Sequence, residues 1–119
     1  MSRPWVYVAG PYTRPDPVLN THRAIKLGDQ LYGAGFFPVV PHVTLLQHMV
    51  VPHEDVEHWY QYDLNFIDRC DALVRMPGAS TGSDREVEYA HGLGKPVLML
   101  HSHVLTPTTV ELIKRMLKP

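Results

Sequence analysis

Three side chains in this sequence have types and settings suited to chemistry: Glu86, Asp63 and Tyr7. Glu86 lies in "SDREVEYAHGLGKPVLML" (83–100), a stretch that opens like a helix and closes like a strand. Ser83, three residues before it, completes an S-x-x-E capping box, in which the glutamate only returns a hydrogen bond to the cap residue's N–H. The alternative is chemical. The positive end of a helix keeps a nearby carboxylate ionised, and an ionised carboxylate beside a sugar is a nucleophile candidate. Asp63 follows Trp59 by four residues and Tyr60 by three, on a stripe that otherwise reads as core. A carboxylate there must be paired, protonated or facing a cavity. It is either a stripe-edge salt bridge or a proton donor held protonated by an apolar wall. Tyr7 alternates with Val6 and Val8 and therefore points to the opposite face of its strand. It is either a core tyrosine or part of the same constellation.

The loop "PGASTG" (77–82) brings Ser80, Thr81, Gly82 and several free N–H groups to the start of that helix. Such a loop can cradle an anion, or it can be a simple turn; it lacks the lysine and spacing of a P-loop. Gly10, which ends the first strand with Pro11, and Arg14, in the proline-rich loop beyond, are phosphate-binding candidates by position. Eight histidines are present, but none forms H-E-x-x-H or a Cys/His cluster, so no metal and no cofactor is expected. His101 and His103 are read as sharing one side of a strand end, and "PHEDVEH" as a solvated loop entering a helix.

The elements that must position these groups alternate. Strands are predicted at 5–9, 36–40, 71–76 and 96–101. Helices are predicted at 18–34, 43–50, 55–69, 83–93 and from Thr106 or Thr108 to the end. The first long helix carries Leu19, Ala24, Leu27, Leu31 and Ala34 at helical spacing, with Gly33 and Gly35 as its stop. The third carries Val56, Trp59, Tyr60, Leu64 and Ile67 as its core stripe. Short apolar strands alternating with helices predict an α/β, flavodoxin-like three-layer sandwich with a four- or five-stranded parallel sheet. The loops after the first three strands, 10–17, 41–42 and 77–82, then meet at one edge, where open α/β sheets bind ligands.

Composition sets the outer limits. At 119 residues, 45% hydrophobic and 19% charged, the chain reads as a single domain, 1–119, with enough apolar residues for a core. A net charge of −1 provides no general attraction to a nucleic acid polymer or a membrane surface. No apolar run approaches the roughly 18 residues of a membrane span, and the N-terminus lacks the pattern of a signal peptide. The single cysteine, Cys70, reads as a packing residue in a reducing, cytoplasmic setting.

Taken together, "YVAGPY", "DLNFIDRCDALV" and "STGSDREVEYAHGLGKPV" resemble the nucleoside 2-deoxyribosyltransferase superfamily, above all its small bacterial and phage members. The likeness runs from Trp5 to about Leu100. It implies that Glu86 is the nucleophile that attacks the anomeric carbon, that Tyr7 orients it, and that Asp63 assists departure of the base. Ser80, six residues before Glu86, stands where transferases acting on free nucleosides usually carry aspartate. The 2′-deoxynucleoside 5′-phosphate N-hydrolases carry a phosphate-binding serine there. A serine and free N–H groups donate to a phosphate that an aspartate would repel. The expected activity is cleavage of the N-glycosidic bond of a 2′-deoxynucleoside 5′-monophosphate. Base exchange on free deoxynucleosides and non-catalytic nucleotide binding are the alternatives. The resemblance also implies a homodimer or higher homo-oligomer. Two departures stand out: Glu88 replaces the glycine usual two residues after the nucleophile, and the first turn is Gly-Pro-Tyr rather than glycine- and arginine-rich.

Overall fold

The computed structural model describes residues 2–118. Its sheet has four strands, β1 (Trp5–Ala9), β2 (Phe37–Val39), β3 (Ala72–Arg75) and β4 (Val97–Met99). All neighbours are parallel, in the order β2-β1-β3-β4. The helices are α1 (Pro17–Gly33), α2 (Thr44–Val50), α3 (Val56–Arg69), α4 (Thr81–Gly92) and α5 (Pro107–Leu117), with one 3-10 turn at Pro41–Val43.

Local chemistry explains the helix ends. Asp16 caps α1 by accepting from Val18 N at 2.9 Å, and Pro17 supplies a first residue with no N–H to satisfy. Gly35, at φ 104°, turns the chain out after α1, a conformation that favours glycine. Asp55 caps α3 and Thr106 caps α5 in the same manner. β1 has the expected bounds, the other three strands are shorter than expected at both ends, and the sheet has the lower of the two expected strand counts.

Period-two alternation sorts the strand side chains into two cores. Val6, Val8 and Val74 meet Ala24, Leu27 and Leu31 of α1 and Ile113 of α5 on one face. Tyr7, Ala9 and Leu73 meet Ile67 of α3 and Ala90 of α4 on the other, together with buried Cys70. Each fully buried Leu or Ile contributes about 1.5–3 kcal/mol. Helices on both faces of a parallel sheet make the three layers of a flavodoxin-like fold. The expectation for α1 needs one change: Leu19 is 38% exposed, and buried Asn20 takes the inner position. Its amide donates to Tyr12 O at 2.9 Å and Arg14 O at 2.8 Å, pinning the loop after β1.

Lys95 locks the second core from below. Its ammonium donates to Ile67 O, Asp68 O and Cys70 O at 2.9, 2.7 and 2.7 Å, satisfying carbonyls at the end of α3. Lys95→Met keeps the stem and removes the donor, and should cost about 2 kcal/mol. The measurement is the shift in urea midpoint at unchanged slope.

Candidate active site

The sheet order reverses direction at β1: the chain first steps outward to β2, then crosses back to β3. Loops leaving β1 and β3 therefore diverge over neighbouring strand ends, the place where such sheets bind ligands. A cleft of about 700 Å³ opens there. The loops after β1 (Gly10, Pro11), β2 (Pro41, His42) and β3 (Ala79, Ser80) all line it. Gly78 lets two of them close up. It sits at φ 117°, and a Cβ on it would lie 2.8 Å from Pro11 Cγ. Gly78→Ala should therefore lower the melting temperature by several degrees, through about 1–2 kcal/mol of backbone strain and ring contact, read by calorimetry.

Glu86 does not close a helix. The S-x-x-E pattern predicts a cap at Ser83, but α4 begins at Thr81 and its cap is Ser80, whose Oγ accepts from Ser83 N at 3.1 Å. Ser83 is consequently inside the first turn, buried, with no partner for its hydroxyl. Glu86 falls in the second turn, on the face that meets β1, and is 7% exposed at the cleft floor. Its charge is not used on the backbone.

Tyr7 comes up from the centre of β1, wholly buried, and donates to Glu86 Oε2 at 2.6 Å. Burial first, and then the carboxylates of Glu86 and Asp63, raise the phenol well above its ordinary value, so it remains a donor. Asp63 completes the group from α3 and also lines the cleft. Burial and the neighbouring Glu86 push its carboxyl up to about 8. Burial likewise pushes Glu86 up to about 7, opposed by hydrogen bonds from Tyr7 and Asp63 and by the charge of Arg75. Asp63 Oδ1 is buried without a donor. Two ionised carboxylates only accept, so one shared proton is what allows them to bond. Held on Asp63, that proton leaves Glu86 ionised and hydrogen-bonded.

The remaining candidates are spread around the rim. Ser80, Thr81 and Gly82 line the cleft at the α4 N-terminus, where early helical N–H groups have no intrahelical partner. The Ser80 oxygen accepts the cap bond, and its O–H is left to donate. Gly10 lines the cleft where a Cβ would come within 3.1 Å of Met76. Arg14 is exposed on the opposite lip. Glu88, whose charge could have opposed the site, faces solvent.

Some lining residues were not read from the sequence. The upper stripe of α3 was expected in the core, yet Val56 is 77% exposed and Trp59 and Tyr60 line the cleft. The reason is direction: α3 starts at the ligand edge of the sheet and runs back beneath it, so its first turns overhang the opening. His42 is 4% exposed, with Nε2 3.1 Å from Pro11 O. A carbonyl can only accept, so that nitrogen carries the proton, and burial lowers the ring's affinity for a second one. His101 and His103 lie on bends beyond β4, not on a strand end.

Residues 4–100 match a family model described as a domain of unknown function, DUF7768, and the chain belongs to that family. The match covers β1 through the end of β4 and so includes every residue of the buried trio. The shared architecture extends to a solved structure of a 2-deoxyribosyltransferase from the psychrotolerant bacterium Bacillus psychrosaccharolyticus. That structure aligns over 89% of this chain and 79% of its own, with a TM-score of 0.57 and 18% sequence identity. At that identity the likeness establishes a common fold. No curated protein matches the chain by sequence. Among the described residues no helix is long and apolar enough to cross a membrane.

Proposed function

We propose that this protein cleaves the N-glycosidic bond of a 2′-deoxynucleoside 5′-monophosphate through a covalent deoxyribosyl ester on Glu86. The observation that carries the reading is the trio at the cleft floor: buried Glu86, the Tyr7 hydroxyl bonded to it at 2.6 Å, and half-buried Asp63 lining the same cleft. A nucleophile kept ionised beside a carboxylic acid kept neutral is the division of labour needed for glycoside chemistry. The fold shared with a 2-deoxyribosyltransferase supports the same class of substrate.

In the first step a Glu86 oxygen bonds to C1′ while the C1′–N bond breaks. The bond's electron pair leaves with the base, which takes the proton from Asp63. In the second step Asp63, now a carboxylate, accepts a proton from water as the water oxygen attacks C1′. Glu86 departs as carboxylate, and the trio returns to its starting charge. Tyr7 holds Glu86 in line throughout. Ser80 and the free N–H groups of Thr81 and Gly82 receive the phosphate at the positive end of α4, with Arg14 on the facing lip. Trp59 and Tyr60 provide flat walls on the α3 side of the opening, where a base can stack.

The test is chromatography of free base released from a panel of deoxynucleoside monophosphates and the matching free deoxynucleosides, with and without an acceptor base. Release from monophosphates without acceptor supports hydrolysis; release only with acceptor makes the enzyme a transferase. Tight binding without release would leave a nucleotide-binding module.

The same reading includes a homodimer. Residues 43–53 carry no Asp, Glu, Lys or Arg. Leu46, Met49, Val50 and Val51 stand 70%, 68%, 81% and 55% exposed beside the cleft mouth. An uncharged apolar face can meet its own copy across a two-fold axis without opposing like charges. Leu46→Glu should convert a dimer to a monomer by sedimentation equilibrium; a wild-type monomer at tens of micromolar would refute the assignment.

A further inference from the structure

Among the described residues, Arg75 is a buried cation that the trio does not include. It ends β3 at 5% exposure, paired in register with Ala9 and so on the Tyr7 face of the sheet, under α4. Its guanidinium donates to the carbonyls of Met76 and Gly78, the latter at 2.8 Å, and to Asp84 Oδ1 at 2.9 Å. One side chain thus ties the β3 strand end, the loop that follows, and the first turn of α4. Its Nε is buried with no partner. A buried guanidinium is costly unless its charge is balanced. The carboxylate it touches belongs to Asp84, which is 67% exposed and therefore partly neutralised by water.

We propose that Arg75 is the positioning residue for Glu86: it fixes the start of α4, and its charge is the counter-charge of the buried catalytic pair. The proposal rests on the assignment of Glu86 as nucleophile. Of the groups that share its cleft, Arg14 is exposed on the lip, and His42, His48 and His53 stand between β2 and α3. β1 presents neutral Tyr7, α3 presents Asp63, and β4 contributes only Val97, Leu98 and Met99. On α4 itself, Glu88 points to solvent. Arg85 turns away to α3, its guanidinium 3.7 Å above the Tyr60 ring and 3.4 Å from Glu57. Asp84 faces Arg75 and opposes its effect. The charge of Arg75 favours ionised Glu86, in the direction the site requires.

The experiment follows the Glu86 carboxyl carbon by ¹³C NMR titration in the ligand-free protein, wild type against Arg75→Met, Arg75→Lys and Asp84→Asn, alongside the pH profile of base release. Arg75→Met should move the Glu86 midpoint up by about one pH unit, the usual scale for losing a nearby opposite charge. Arg75→Lys, which keeps the charge, should leave it near wild type. Asp84→Asn, whose amide oxygen can still accept from the guanidinium, should move it down. Opposite shifts in Met and Asn are what a loop staple alone cannot produce. Unmoved midpoints in Arg75→Met and Asp84→Asn, or a downward shift in Arg75→Met, would overturn the proposal. Should Arg75→Met fail to fold, Arg75→Gln, which keeps donors for the Met76 and Gly78 carbonyls and removes the charge, takes its place, with the same upward shift expected and an unmoved midpoint overturning the proposal. Wild type releasing no base in any condition would refute the nucleophile reading separately, because the titration is read without turnover.

Discussion

Glu86→Gln should release base about a thousandfold or more slowly than wild type from whichever deoxynucleotide proves to be the substrate, and at pH 8 it should be the more stable protein. The loss follows from removing the nucleophile: an amide oxygen accepts the Tyr7 hydrogen bond but does not form the ester. The gain follows from burial. In the fold the Glu86 carboxyl holds its proton up to about 7, against 4.5 ordinarily. A carboxyl whose folded value is raised contributes stability that is complete below the unfolded value and is lost as pH rises through the folded one. Above about 7 the wild type therefore carries a buried charge that glutamine does not. The difference should be on the order of 2–3 kcal/mol at pH 8 and mostly gone at pH 5. Urea unfolding of both proteins at the two pH values measures it, with base release assayed on the same preparations. A glutamate whose charge the fold uses would lose stability on substitution at pH 8. One whose charge is buried at a cost gains it, and the assay of base release then says whether that cost serves the chemistry.

The parts of this fold readable in advance are those that local rules determine. Alternation in "WVYVA" was enough to turn Tyr7 away from Val6 and Val8, because the pleat leaves no other choice. The strand–helix order was enough to bring three loops to one edge. What could not be read depended on contacts made at a distance. "STGS" contains two serines able to cap α4, and only Ser83 has a glutamate three residues on. With Ser80 as the cap, Asp84 falls in the first turn, where it meets Arg75 at 2.9 Å. Arg75 lies in "DALVRM", where nothing local marks it as buried. Its burial makes sense only with the Met76 and Gly78 carbonyls and Asp84 in place. On α3, periodicity identified one face correctly but not where along that face the core ends and the cleft begins: Ile67 is buried and Val56 is not. That boundary is set by where the sheet stops, which no helical pattern encodes.

The pH dependence of base release should be a narrow bell. The competent state has Glu86 ionised and Asp63 protonated, one proton between two carboxyls. Below about 7 the pair takes up a second proton and the nucleophile is lost; above about 8 it gives up the remaining one and the general acid is lost. The profile of kcat/KM should therefore peak between those limits and report the pair rather than either residue alone. Asp63→Asn separates the two limbs. The amide still donates to Glu86, so the acidic limb should persist. The alkaline limb should vanish, since no titrating acid remains on that side. The plateau rate should fall by roughly 10²–10⁴, the usual contribution of a positioned proton donor. The fall should be smaller for substrates whose base leaves readily without protonation. A wild-type profile flat from pH 6 to 9 would mean that the shared proton has no part in the reaction. An alkaline limb surviving in Asp63→Asn would move the role of acid to another group. Of the cleft residues, the Tyr7 hydroxyl is the next candidate, but burial and two facing carboxylates keep its proton in place well beyond that range.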